Sequence, residues 1–489
     1  MNLPTFDELY VLSDLHLGGT KGFQIFTSTK EAKALLAELA GRPAELRVCL
    51  VINGDLVDFL AEPGAQSFNP DTAEGMLRRI AGDDAFKPVF DGLREFVAKP
   101  NHYLAINLGN HDIELSLPWV RAALLEILAG ADDAARGRVE LVFEGTGYAA
   151  FVGKARVLCM HGNEVDEWNV TAFETLRKQG RDRLQGKGTE VWKPNAGSRM
   201  VVEVMNEIKH RWPFVDLLKP EQEAVPMVLM ALDSSLVGKL RDIAGLKFVA
   251  SGDAKKMKDG LLGEPRTAVV ESAPVNPFAE AELKMREKLQ MAEVKSGDDL
   301  LAQAEASFKQ KKRPVELIGR DREQEYLGLG GATLSLLKGN PPYKVVWAAL
   351  DGLIKDESFV LTNADSTFTG VDARVGPGFD FVVTGHTHLE RARPRTNGGF
   401  YYNGGTWVGL MQLTKDVMED AEKFKPIFER MGQATLAALE AEPSLVMRHN
   451  SFVKISKVAG GTRGELLRAQ FKGATFNMEQ VPNSEHTTA

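Results

Sequence analysis

At 489 residues, 44% hydrophobic and 26% charged, the chain has the composition of a soluble globular protein and room for two or more packed domains. A formal net charge of −8 disfavours a protein built to coat nucleic acid, although a local basic groove can sit inside an acidic total. Two cysteines in apolar runs make no disulfide framework, residues 1–8 lack the basic and apolar regions of a signal peptide, and no stretch reaches the roughly 18 apolar residues of a spanning helix, so a reducing cytoplasm is the expected location.

Five polar clusters follow in order, each just after an apolar, strand-like run. The run 9–13 delivers Asp14-Leu15-His16. The run 48–52 precedes Gly54-Asp55-Leu56-Val57-Asp58, and 103–108 precedes Gly109-Asn110-His111-Asp112. The runs 155–160 and 380–384 end at His161-Gly162 and Gly385-His386-Thr387-His388. In α/β sheets, ligands gather outside the carboxyl ends of strands. Five of the nine histidines fall in these clusters, while His102, His210, His449 and His486 read as ordinary.

The residue types fit a metal site. In an extended segment residues i and i+2 share a side, so Asp14 and His16 can converge on one ion. The Asp55 carboxylate can bridge two cations, and Asn110 offers a neutral carbonyl oxygen. His161, His386 and His388 offer imidazoles. This mixed nitrogen and oxygen set suits Mn, Fe, Zn or Co better than Ca. Cys159 lies within an apolar run and reads as core. The glycines at 54, 109, 162 and 385 allow tight turns and close backbone approach. Each cluster alone also has an ordinary reading: Asp14 as a turn or cap residue, Gly-Asp as a turn dipeptide, His111 as a loop histidine.

Together the clusters resemble the signature of calcineurin-like metallophosphoesterases, over about 1–165 and 375–412. The resemblance implies an α/β (α+β) fold of two mixed sheets packed face to face, with helices outside. It implies two divalent cations, one held by Asp14, His16, Asp55 and His388, the other by Asp55, Asn110, His161 and His386. A metal-activated hydroxide would attack phosphorus in line. His111 would face the leaving oxygen as proton donor, oriented by Asp58. Asp112 reads as a turn or helix-cap carboxylate. Phe59 stands where the family's protein phosphatases carry Arg, which argues against a phosphoprotein substrate. His111 stands where the similar lipid A pathway pyrophosphohydrolases carry Arg.

The chain divides into a first core part at 1–165, a mainly helical insertion at 166–375, a second core part at 376–475 and a polar tail at 476–489. The insertion separates His161 from His386 and is expected to cap the site, with Trp168 nearest the pocket and Asp166 and Glu167 beside it. Met200, Val201, Val204, Met205, Ile208 and Trp212 recur at helical spacing. So, less cleanly, do residues 283–291, and Leu300, Leu301, Ala304 and Phe308. Residues 271–277 read as a break, and Lys309–Arg313 as a solvated basic patch. The apolar run Val225–Leu232 reads as a buried helix, with peripheral lipid contact as the sharper alternative. A helical excursion spans about 413–442, with a stripe at 417, 421, 424, 428 and 431. Residues 400–407 read as a strand and glycine turn beside the site. Residues 451–458 and 465–471 read as a closing hairpin, and the final dozen residues as frayed.

The expected activity is hydrolysis of a small or lipid-linked phosphodiester or pyrophosphate. The competing readings are a nuclease of the same superfamily, with nucleic acid the less favoured partner, and a non-catalytic scaffold. The scaffold would be favoured by lost ligands, yet every expected ligand is in place.

Overall fold

A computed structural model describes residues 2–187, 192, 194–218, 341–351, 359–411, 417–433, 435, 436, 439 and 446–488. Strands β1 (Thr5–Phe6) and β2 (Glu8–Leu12) open the chain in different sheets. The parallel strands β2, β3 (Val48–Asn53), β4 (His102–Asn107) and β5 (Val139–Val142) form half of an eight-stranded sheet. The antiparallel strands β13 (Ser451–Val458), β14 (Gly461–Lys472), β15 (Thr475–Gln480) and β16 (His486–Thr488) complete it, with β13 beside β2. The second sheet holds six strands in the order β1, β6 (Tyr148–Val152), β7 (Ala155–Cys159), β8 (Phe381–Thr384), β10 (Phe400–Gly404) and β9 (Glu390–Pro394).

Alternation along the strands decides which core each side chain enters. Leu9, Val11, Cys49, Val51 and Ala105 leave the first sheet on one face and meet Val157, Cys159, Phe381 and Val383 of the second. Their neighbours Tyr10, Leu12, Leu50, Ile52, Leu104 and Ile106 point the other way. There they meet α1 (Thr29–Ala40), α2 (Ala73–Gly82), α3 (Lys87–Ala98) and α4 (Pro118–Ala129), while the short α5 (Asp133–Arg136) sits between α4 and β5. Every residue of β2 and β3 is buried. Each large aliphatic side chain so placed contributes roughly 1.5–3 kcal/mol. This is the two-sheet sandwich with outer helices that the motifs imply. Both cysteines are free and buried, Cys159 in the core as expected.

After His161 the chain enters α6 (Phe173–Leu184). A longer helical run follows: α7 (Ala196–Met200), a π-helical segment (Val201–Met205) and α8 (Asn206–Arg211). It buries Val204, Met205 and Ile208 of the apolar stripe read from spacing, while Met200, Val201 and Trp212 are half-buried. These pack with Trp168, Phe214, Val346 and Leu350 against Phe424 and Met431. Val346 and Leu350 belong to α9 (Pro342–Asp351), and Phe424 and Met431 to α11 (Ala421–Gln433). Among the described residues, then, the flanks of the insertion and the later helical excursion share one apolar cluster. Leu218 bridges to Met411, and β11 (Leu410–Met411) pairs with β12 (Val446–Met447). On the far face of the second sheet, α10 (Ser366–Arg374) buries Phe368 and Val371 against Val382 and Tyr401.

The expected runs at 225–232, 271–277, 283–291, 300–308 and 309–313 lie outside the described residues. The polar tail is a correction. The segment expected to fray instead forms β15 and β16 against β14. Ser484 is fully buried, and its carbonyl accepts from the Tyr402 hydroxyl at 2.8 Å. The hidden device is one apolar residue, Val481, and one small hydroxyl that satisfies the backbone of Leu466. Composition averages such a device away.

Candidate metal centre

The loops after β2, β3, β4, β7 and β8 meet at one end of the two sheets. Their backbones hold each other directly. Asp14 N donates to Gly54 O at 3.2 Å, His16 N to Asp55 O at 2.9 Å, and Gly385 N to His161 O at 2.8 Å. Asp14, His16, Asp55, His386 and His388 all have positive φ, between 50° and 71°. They are five of the eight non-glycine residues in that state among those described. A left-handed backbone costs about 1–2 kcal/mol per residue, so the surrounding contacts enforce it.

Two glycines are required by close approach to these side chains. Gly54 has φ +89°, and a Cβ there would lie 2.3 Å from His161 Nδ1. A Cβ on Gly385 would lie 1.8 Å from Ser13 Oγ and 2.4 Å from Asp14 Oδ2.

The side chains converge into three groups able to hold a metal ion: Asp14, His16 and His388; His16, Asp55 and His111; and Asp14, Asp55 and His161. His16 Nε2 and His388 Nε2 face each other at 3.0 Å. His388 Nε2 lies 3.4 Å from Asp14 Oδ1. Asp55 Oδ2 lies 3.2 Å from His161 Nε2 and 3.7 Å from His16 Nε2. Asn110 Oδ1 is buried with no hydrogen-bond partner among the described atoms. That is an oxygen suited to a cation. His386 stands apart from the three groups: its Nε2 meets Asp166 Oδ2 at 2.7 Å, and its backbone N–H donates to Asp14 at 3.0 Å.

The outer ring nitrogens are fixed. His161 Nδ1 donates to Asn53 O at 2.8 Å, leaving Nε2 to face Asp55. His16 Nδ1 meets Asp58 Oδ2 at 3.2 Å, leaving Nε2 to face His388. Imidazoles that bind metals characteristically have the second nitrogen held in this way. Asp58 has a second task. Its Oδ1 lies 3.1 Å from Nδ1 of His111, whose side chain is 19% exposed and so reachable by a substrate.

The electrostatics favour positive charge. Burial works to raise the Asp14 pKa, but hydrogen bonding to His388 and the charge of His161 hold it at about 2. Burial opposes protonation of His161, yet Asp55 lifts it to about 10. Burial likewise opposes protonation of His111, and Asp58 and Asp55 lift it to about 9. A field that draws protons onto buried imidazoles equally stabilises a cation.

Asp112 is neither ligand nor side-chain cap. Its Oδ1 accepts from Gly109 N at 2.7 Å and its Oδ2 from Leu56 N at 2.8 Å. It therefore ties the Asp55 loop to the Asn110 loop. Burial and the charge of Asp55 push its pKa up to about 8.

Trp168 is another correction. It is only 9% exposed and belongs to the apolar cluster of Val204, Met205 and Ile208. Its neighbours Asp166 and Asn169 take the place expected of it. Asn169 Nδ2 donates to Asp166 Oδ2 at 2.8 Å, and Asn169 Oδ1 accepts from Asn110 Nδ2 at 3.4 Å. Sequence reasoning gave neither Asn169 nor Asn53 a role, and its strand-like run stopped at 52, one residue short of Asn53. Asn53 takes Asn107 Nδ2 at 2.6 Å and gives its own Nδ2 to Met160 O at 2.8 Å, joining β3, β4 and β7 at the site. A polar side chain closing an apolar strand was the available signal.

Residues 8–222 match the family model described as calcineurin-like phosphoesterase. The match contains four of the five clusters and ends before Gly385-His386-Thr387-His388. No curated protein matches the chain.

Proposed function

Because the chain belongs to the calcineurin-like phosphoesterase superfamily, we propose that it hydrolyses a phosphoester or phosphoanhydride with two divalent cations drawn from Mn, Fe, Zn and Co. One cation would be held by Asp14, His16, Asp55 and His388, the other by Asp55, Asn110, His161 and His386. The observation that carries this is the position of Asp55 Oδ2 between His161 and His16, where one carboxylate serves two groups of ligands. The donor set fits: imidazole nitrogens, carboxylates and one neutral amide oxygen, with no thiolate. When bound, such a pair supplies charge neutralisation at phosphorus and an activated water.

The chain's own residues do the rest. His111, held by Asp58 and partly exposed, donates a proton to the departing oxygen. Asp58 keeps that imidazole oriented and protonated. Phe59 is fully buried beneath this loop, so no arginine follows Asp58 to bind a phosphoprotein. The described start of the insertion sits on the same loop: Asn206 Nδ2 donates to Leu60 O at 2.9 Å. That supports a cap over the mouth, selecting a small or lipid-linked substrate.

The test is a substrate panel with metal-reconstituted protein: phosphomonoesters, bis-aryl phosphodiesters, nucleoside diphosphate conjugates and single-stranded DNA. Turnover of diesters or diphosphate conjugates that chelation abolishes is expected. Preference for single-stranded DNA would replace this reading with a nuclease, and no turnover with any metal would leave a binding scaffold.

A further inference from the structure

The first loop of the insertion touches the centre through one hydrogen-bonded chain. His386 Nε2 lies 2.7 Å from Asp166 Oδ2. The same carboxylate oxygen accepts from Asn169 Nδ2 at 2.8 Å. Asn169 Oδ1 accepts from Asn110 Nδ2 at 3.4 Å. Asp166 Oδ1 is held by Trp168 N at 2.9 Å, so the carboxylate is fixed at both oxygens. The two ends of the chain, Asn110 and His386, come from loops far apart in sequence. They are also two of the residues proposed for the same cation, and this inference rests on that assignment.

We infer that Asp166 and Asn169 are positioning residues for one cation of the pair, holding Asn110 Oδ1 and His386 Nδ1 toward it. The atoms leave little choice. An Asn110 amide that gives its Nδ2 to Asn169 turns Oδ1 away from that partner, and Oδ1 is the buried atom with no partner of its own. An imidazole that donates Nε2–H to Asp166 leaves Nδ1 unprotonated, which is the form that binds a metal. Asp14, proposed for the other cation, meets this chain through the backbone N–H of His386 and not through the His386 ring.

The chain also reaches the insertion helix. Gly197 N donates to Trp168 O at 2.8 Å, and a Cβ on Gly197 would stand 1.9 Å from Asn169 Oδ1. The seating of α7 on the loop 166–169 and the aim of Asn110 are therefore one arrangement. A cap that shifts at Gly197 would alter one cation site and spare the other.

The test is calorimetric titration of the metal-free full chain with Mn(II), read beside elemental analysis. Wild type should take two equivalents. Asp166→Asn and Asn169→Ala should keep one equivalent at wild-type affinity and bind the other about 10- to 100-fold more weakly. Gly197→Ala should shift the same equivalent although Gly197 touches no ligand, and Asp166→Glu should recover part of the loss. Wild-type affinity for both equivalents in Asp166→Asn and Asn169→Ala would overturn the inference, as would equal loss of both. The tautomer is a check that needs no variant. Nitrogen-15 spectra of histidine-labelled, metal-loaded wild type should show His386 protonated at Nε2, and protonation at Nδ1 would overturn the inference. A wild type that binds fewer than two equivalents would instead defeat the two-cation reading beneath it.

Discussion

His16 Nε2 and His388 Nε2 face each other at 3.0 Å across 372 residues of chain. Two ring nitrogens this close need a proton or a cation between them, and Asp14 Oδ1, 3.4 Å from His388 Nε2, and Asp55 Oδ2, 3.7 Å from His16 Nε2, favour positive charge there. Each ring's role is set from elsewhere: His16 by Asp58 at 3.2 Å, and His388 by a backbone with φ 64°. The pair would close the proposed ligand set from opposite ends of the sequence.

Removing either histidine should therefore remove the same cation. We expect His16→Ala and His388→Ala each to retain about one metal of two by elemental analysis, and the double variant to retain the same one. Asp55→Asn, which touches both groups, should lose both. Retention of two metals in His388→Ala would show that the pair is not a ligand pair.

His111 and Asp58 separate chemistry from metal binding. His111→Ala should keep both metals and slow kcat by about 10²–10⁴, the usual size of general-acid help. Asp58→Asn should slow turnover too, and it should also weaken the metal near His16, because the same carboxylate holds both imidazoles. Equal metal loss in the two variants would make His111 a ligand.

Asp112 is expected to matter for stability, not for turnover per folded molecule. Its carboxyl satisfies two buried backbone N–H groups on different loops. Stranding both should cost roughly 2–4 kcal/mol. Urea unfolding of metal-free Asp112→Ala gives that number directly, and a cost under about 0.5 kcal/mol would rule out the tie between the loops.

The strands and ligand clusters were legible because β2, β3, β4, β7 and β8 are short apolar runs ending at glycine and a polar residue. Period-2 alternation and turn chemistry are local signals. What holds the proposed ligands is not local. The Asn110–Asn169–Asp166–His386 chain joins three segments by side-chain amides and a carboxylate that look like loop residues one at a time. Trp168 misled because an aromatic beside a site reads as pocket, whereas its apolar partners come from 35 or more residues downstream and from beyond residue 341. The left-handed φ values at five proposed ligands leave only a weak trace in residue type: Asp, Asn and His tolerate that state, but they occupy ordinary loops as well.

The last strand should respond to pH. Burial lowers the His486 pKa from 6.5, and its ring stacks on Phe400 with centroids 4.4 Å apart. A lowered histidine pKa means that the unfolded segment takes the proton more readily. The stability contributed is full above about 6.5 and declines as the pH falls below it. Hydrogen exchange over β16 should therefore quicken, after correction for intrinsic rates, between about pH 7.5 and about pH 5.5. His486→Phe keeps the stack and should abolish the change; persistence of the change in that variant would assign it to another group.

The final expectation concerns what the described start of the insertion does to substrate choice. Helix α8 lies on the loop that carries Asp58: Asn206 reaches Leu60 O, and the His210 ring meets Phe23 edge-on at 4.6 Å. Lys209, paired with Asp216 at 2.8 Å, is close enough to act on the charge of His111. A cap in this position meets parts of the substrate remote from phosphorus. Such contacts supply binding energy that a small ester cannot use. Asn206→Ala and Lys209→Ala should thus lower kcat/KM for the best large substrate of the panel by about 10-fold or more, while a bare aryl phosphate ester changes by less than about threefold. The metal content should remain that of wild type, because neither residue touches a ligand. A remote stabilising module would instead lower the melting temperature and leave the ratio of the two substrates where it was. An unchanged ratio in folded, metal-loaded variants would defeat the cap and leave the chemistry of the centre untouched.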